Sequence, residues 1–285
     1  MAENVYVSVP RFKQELGAQD GGSAVDDRDP SFLRLLESVS RGIDRECGRE
    51  FFSRVGIRYC QSHDHQLNLG ADGLHYGVMP GFDIVSLSAV GIDQGAGTFA
   101  QPLVETTDYY LYDWNRPAHT PALFLINNRY STVRTSFSPL PRGTRLTGVF
   151  GYSHELEAAD TLAAAMVDTT GTTLTLTTGG EVGLGDTIVI DSEQMPVNAV
   201  SGKTVTVSRG LNGSTAATHL ISATVNRRRY SRDIEEATVL QAVRFYRQKQ
   251  SGGANPQGAE FGWTVNALFP AIRDMINRRT FPAGI

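Results

Sequence analysis

Two cysteines in 285 residues are too few for a disulfide framework. The chain also lacks an excess of either charge, since 26 basic and 30 acidic side chains leave only −4. A free-standing basic nucleic-acid binder, which carries a marked Lys/Arg surplus, is therefore not the expected class. No apolar run approaches the roughly 18 residues that span a bilayer. The start, Met1-Ala2-Glu3-Asn4-Val5-Tyr6, has neither the basic n-region nor the apolar h-region of a signal peptide. With 40% hydrophobic residues, a disordered polymer is ruled out. The class left is a soluble protein made in a reducing cytoplasm, with one or two domains at about 150 residues each.

Hydropathy patterning divides the chain. A short helix is predicted from Val9 to Leu16, with Pro10 in its first turn and Gly17 at its end. A longer one is predicted over about 30–48. Asp29 serves as N-cap and Pro30 as first helical residue, and Phe32, Leu35, Leu36, Val39, Ile43 and Cys47 recur at steps of three and four. From Phe51 the period shortens to two. Strands are expected around Val55–Cys60, Gln66–Leu69, Ile84–Val90, Tyr109–Tyr112, Leu123–Ile126 and Arg145–Phe150, each pair separated by turn residues.

Between 158 and 226 aromatic residues are missing altogether, while Thr, Gly and Val dominate. Runs at 172–177, 187–191, 195–200 and 204–207 read as strands, with a hairpin turn at Ser201-Gly202-Lys203. Helical periodicity returns at Asp233, where Glu236 three residues on makes a capping-box-like start and Ile234, Ala237, Leu240 and Val243 share a face. A last helix is expected over about 264–279. The expected fold class is α+β: a helical core with an antiparallel β region, formed by 1–157 and 227–285, interrupted by an all-β module at 158–226.

Chemical motifs are sparse. Gly202-Lys203-Thr204 resembles the end of a phosphate-binding loop, yet Val197 stands where that loop needs glycine. His154-Glu155 begins a zinc-protease pattern that Ala158 breaks. The glycine run from Gly179 to Gly185 precedes a strand, so no helix N-terminus is there to hold an anion. His63, Asp64 and His65 have metal-ligand types at alternate positions, but the sequence marks no third ligand. Cys47 and Cys60 read as buried small hydrophobes. No catalytic residue, metal site or cofactor is expected.

Charge is segregated. Residues 227–285 hold ten basic and five acidic side chains, while 158–226 hold two and six. Arg227, Arg228 and Arg229 are the densest basic run and candidates for charge contacts between subunits.

Tyr6-Val7-Ser8-Val9 with Phe12 and Leu16, Asp29-Pro30-Ser31-Phe32-Leu33, and Ile43-Asp44-Arg45-Glu46-Cys47-Gly48-Arg49-Glu50-Phe51-Phe52 resemble the start of the head–tail connector (adaptor) family of tailed bacteriophages. Gly81–Leu87, Asp108–Tyr112, Val149–Tyr152 and the helix from Ile234 extend the likeness. Asp186–Met195 and Val207–His219 resemble a small β module of phage structural proteins, an insertion that compact family members lack.

The resemblance implies a non-enzymatic virion protein, assembled in the host cytoplasm. It implies a homo-oligomeric, dodecameric ring beneath the portal protein that extends the channel for viral double-stranded DNA. The ring would dock the next neck or tail completion protein. By position it also implies portal contact through Arg278, Arg279, Phe281 and Ile285. A near-neutral chain suits a conduit, because each neutralised phosphate strengthens the grip on DNA. Two other readings compete. One is a carbohydrate- or receptor-binding virion accessory protein, which the lack of aromatics in the module disfavours. The other is a hydrolase built on His63, Asp64 and His65.

Overall fold

The computed structural model describes residues 4–17, 28–60, 66–68, 75–78, 82–93, 95, 97–99, 101–112, 123–127, 142–152, 155–250, 272, 273 and 276. Two compact units form: Met1–Gly48 with Glu155–Thr280, and Arg49–His154 with Phe281–Ile285. Helix α1 (Val9–Glu15) carries Pro10 in its first turn, and α2 (Asp29–Cys47) buries Phe32, Leu36, Val39, Ile43 and Cys47 along one stripe. Asp29 is the first helical residue rather than the cap, and its carboxylate pairs with Lys13 Nζ at 2.5 Å. Ser40 falls on the buried stripe because its hydroxyl is satisfied twice. It donates to Leu36 O at 2.8 Å and accepts the Tyr6 N–H at 3.2 Å.

The second unit consists of strands. They are β1 (Arg54–Cys60), β2 (Gln66–Asn68), β3 (His75–Val78), β4 (Ile84–Ile92), β5 (Gln101–Leu103), β6 (Tyr109–Tyr112), β7 (Leu123–Asn127) and β8 (Thr144–Phe150). They make two antiparallel four-stranded sheets, ordered β1-β8-β4-β5 and β2-β3-β7-β6. Val90, Ile92, Leu146 and Phe150 of the first sheet share a core with Tyr109 of the second. Along β8, Leu146, Gly148 and Phe150 alternate inward. A Cβ on Gly148 would lie 2.1 Å from Ser86 O, where the β4–β8 register is irregular, so only glycine admits this approach. At the unit's start, the buried Arg49 lies 3.4 Å from Asp83 and 4.9 Å from the centroid of the Tyr152 ring.

Returning to the first unit, strands β9 (Leu156–Thr161), β10 (Thr173–Thr175), β11 (Thr187–Ile190), β12 (Glu193–Ser201), β13 (Thr204–Val207) and β14 (Thr224–Arg228) form an antiparallel sheet ordered β10-β13-β12-β11-β14-β9. Its two outer strands meet. Leu162 bridges Leu176, Ala163 N donates to Thr175 O at 2.8 Å, and Thr177 N donates to Thr161 O at 3.0 Å. The sheet closes on itself at that seam as a six-stranded barrel. Leu174, Leu176, Ile188, Ile190, Met195, Val197, Val205, Val207 and Val225 fill its interior. Strand β11 is buried at every position. Ile188 and Ile190 point inward, while Thr187 on the other face donates to Asn4 Oδ1 at 3.1 Å.

Helix α3 (Arg232–Gln250) follows the barrel. It meets the other two helices at an aromatic cluster: Phe12–Phe32 and Phe32–Tyr246 centroids are each 5.4 Å apart, in edge-to-face geometry. The segment before α1 lies on the barrel, with Val9 N bonded to Leu184 O at 2.9 Å. A Cβ at Gly185, which has φ +92°, would meet Val5 and Leu33 at 3.0 and 3.1 Å.

The expected α+β fold with a helical connector core does not form. The chain is mostly β, with three helices against fourteen strands among the described residues. The physical reason lies in which surfaces the helices cover. Their apolar stripes meet one another and the segment that seats on the barrel, while residues 49–154 build their own core from strands. Barrel strands run from Leu156 to Arg228. The expected helix over 264–279 falls almost wholly outside the described residues, of which Ile272, Arg273 and Ile276 are helical.

Candidate functional site

His63, Asp64 and His65, and the expected portal-contact residues Arg278, Arg279, Phe281 and Ile285, lie outside the described residues. Arg227, Arg228 and Arg229 are described, and strand geometry splits them. Strand β14 alternates so that Arg227 shares a face with Ile188 opposite it on β11, while Arg228 and then Tyr230 turn to the other face and are buried there, 4% and 7% exposed, Tyr230 against the Tyr6 ring. Arg227 and Arg229 turn the other way and converge on one carboxylate. Arg227 Nη2 donates to Glu157 Oε2 at 2.8 Å and Arg229 Nη1 donates to the same oxygen at 3.2 Å. Arg227 Nη1 also donates to Glu181 O at 3.0 Å, and Arg229 Nε lies 3.8 Å from Glu235 Oε1 on α3. The Arg227 and Arg229 charges are thus directed at partners within the chain.

These residues line a cleft of about 480 Å³, walled by the segment from Val5 to Gln14, the Gly180–Gly183 turn, β14 and the start of α3. Acid and base alternate around it, with Arg11 also within 3.8 Å of Glu235. Deepest is Asp186. Burial pushes its carboxyl up to about 6, although the Gly183 N–H donates to it at 2.8 Å and Arg227 stands 4.0 Å away. Burial likewise lowers the Arg228 guanidinium below the usual arginine value. For Glu157, the hydrogen bond from Arg227 is the main influence lowering the carboxyl. The arrangement holds three structural elements together through charge. It places no histidine or cysteine among its lining residues.

A second constellation lies within the barrel, and the sequence did not mark it as a site. Glu193 is wholly buried and receives Arg209 in a two-pronged pair, Nε–Oε1 at 2.7 Å and Nη2–Oε2 at 2.9 Å. The Gly210 and Ala217 N–H groups donate to it at 3.1 and 2.9 Å, and His219 Nε2 lies 2.9 Å from Oε2. His219 Nδ1 is 2.8 Å from Asp191 Oδ2. Arg209 further donates to the carbonyls of Gly171, Asp168 and Ala217. Burial alone would raise the Glu193 carboxyl; Arg209, Ala217 and His219 outweigh it and hold it at about 2. Every oxygen of the carboxylate is committed, so this is a clasp for the loop from Ser208 to His219. The signal was the stretch Arg209-Gly210-Leu211-Asn212-Gly213-Ser214-Thr215-Ala216-Ala217-Thr218-His219, read only as a family-like pattern.

Beside the clasp the barrel is apolar and exposed. Val167, Leu220 and Ile221 are 82%, 80% and 60% exposed. Among the described residues no group of His, Cys, Asp and Glu side chains is arranged to hold a metal ion, and no helix is long and apolar enough to cross a membrane. Set against protein families, curated proteins and solved structures, the chain matches none of them.

Proposed function

We propose that this chain is a structural subunit of the head–tail connector of a tailed bacteriophage, assembling beneath the portal, extending the DNA channel and docking the next neck or tail protein. The observation that carries the reading is the barrel: its closed sheet presents exposed Val167, Leu220 and Ile221, while its buried charges are satisfied internally. Exposed aliphatic side chains on a closed barrel mark a surface made for another protein.

The resemblance supplies which assembly. Tyr6, Val7, Val9, Phe12, Phe32, Ile43, Cys47, Phe51 and Phe52, which carry it, are all buried, as expected of a pattern that specifies a fold. The small net charge of −4 favours passage of DNA over retention. The segment with Arg278, Arg279, Phe281 and Ile285 is the one proposed to engage the portal. Negative-stain imaging of the purified chain mixed with portal protein tests the reading. Rings docked coaxially on the portal are expected; chains that ignore the portal overturn it.

A further inference from the structure

The barrel patch has a definite geometry. Met166 and His219 pair across the barrel wall, each N–H donating to the other's carbonyl at 2.9 Å, and both side chains are buried. Alternation then sends their neighbours Val167 and Leu220 to the opposite, outer face. Ile221, in the turn that follows, and Ala163, Ala164 and Ala165, which precede Met166, are exposed as well. Its rim is acidic. Asp168 follows Val167 and accepts the N–H groups of Thr170 and Gly171, which lower its carboxyl and keep it ionised. Asp191 stands beside His219 with its side chain 67% exposed.

A complementary surface lies on α3. Leu240, Val243, Arg244 and Arg247 recur at helical spacing and line a shallow groove of about 540 Å³. Leu240 is 42% exposed, whereas Val239 and Ala242 on the opposite side are wholly buried. Aliphatic carbon at the centre and guanidinium groups at the edge match aliphatic carbon rimmed by carboxylates.

We propose that copies of this chain associate head to tail, the Val167–Leu220–Ile221 patch of one copy seating on the Leu240–Arg247 stripe of the next. The two surfaces differ, so the contact is heterologous and propagates into a ring or a chain of copies. Its partner is a second copy, because both halves of the complementary pair are present on one molecule. The inference rests on the assembly reading above and assigns the contact within it.

Single-cysteine variants of the full chain test it, since Cys47 and Cys60 are buried. Under mild oxidation a mixture of Leu220→Cys and Leu240→Cys is expected to give disulfide-linked dimers, neither variant alone doing so, and the double variant a ladder. Leu220→Cys linking to itself, or no product from the mixture, overturns the assignment. In sedimentation, Arg247→Glu is expected to weaken self-association roughly tenfold, and adding Asp168→Arg to restore it; an unchanged profile counts against the contact. Imaging the same variants with portal separates the two claims. Portal-docked rings without the cross-link overturn this contact and leave the connector reading standing. Cross-linked assemblies that ignore the portal do the reverse.

Discussion

The side-chain amides of Asn4 and Asn212, 208 positions apart, exchange two hydrogen bonds: Asn4 Nδ2 donates to Asn212 Oδ1 at 2.8 Å, and Asn212 Nδ2 donates back at 3.0 Å. Thr187 and Gln194 complete the network, and the main-chain carbonyl of Asn4 accepts from Arg41 on α2. One residue near the chain's start therefore joins the barrel to α2. Asn4→Ala strands several buried polar atoms and is expected to cost about 1–3 kcal/mol in urea unfolding. Hydrogen exchange at the Val9 amide, bonded to Leu184 O, is expected to quicken. Unaltered protection there means the segment is held without the amide pair.

The Arg209–Glu193 pair makes a harsher test. Removing the guanidinium with Arg209→Ala leaves a fully buried carboxylate with three of its five partners and no cation paired to it, a loss of about 3–5 kcal/mol. The pair also gives the fold a pH-dependent contribution on the acid side. Glu193 titrates at about 2 in the folded chain against 4.5 for a free side chain. The unfolded state thus takes up its proton first as pH falls. The contribution, about 3 kcal/mol, is fully present above pH 4.5 and is lost on the way down to 2. Unfolding free energies of Glu193→Gln and the parent, measured from pH 6 to 2.5, are expected to converge. Parallel curves contradict the assignment.

The sequence made some of this legible and hid the rest for identifiable reasons. The α2 stripe was readable because burial on one helix face leaves a period of 3.6, and Phe32, Leu36, Val39, Ile43 and Cys47 are all buried. Strand β9, Leu-Glu-Ala-Ala-Asp-Thr, has no alternating apolar residues and is a strand only because β14 pairs with it. Strand β14 was concealed by the arginines that fill positions 227 to 229. Pro102 argued against β5, which the sheet accommodates at its edge. The site followed the same rule. Arg227 to Arg229 were visible as charge, but their division into a pair on one face and a buried member on the other needed the pleat. The Glu193 clasp needed the loop to close back on the barrel.

Gly148 tests the packing of the strand-built unit. An added methyl would press on Ser86 O and Leu87 Cα, backbone atoms that cannot swing aside. Gly148→Ala is expected to destabilise by about 1–3 kcal/mol, and Gly148→Val to abolish the unit's cooperative melt. Circular dichroism melts give the reading. An alanine variant that melts with the parent shows that β4 yields at its irregular register.

Asp186 makes the opposite pH prediction from Glu193. Its carboxyl titrates at about 6 in the folded chain against 3.8 when free, with burial outweighing the Gly183 N–H and the nearby guanidinium groups of Arg227 and Arg229; Glu235 on α3 adds to the rise. Between those values the folded state binds the extra proton. The contribution of this one group is therefore most favourable below 3.8 and declines as pH rises through 6, by about 3 kcal/mol in all. Asp186→Asn keeps an acceptor for the Gly183 N–H and removes the buried charge. It is expected to stabilise the chain at pH 7.5 by up to that amount and to match the parent at pH 4. Glu157→Gln serves as the contrast. Its partners are the same arginines, but its side chain is 47% exposed, so its effect is expected to stay below about 1 kcal/mol and to fade with salt. Urea titrations across this pH range decide the matter. An Asp186→Asn chain less stable than the parent at pH 7.5 would mean that Arg227 and Arg229 outweigh the cost of burial, and that the cleft is held shut by that carboxylate's charge.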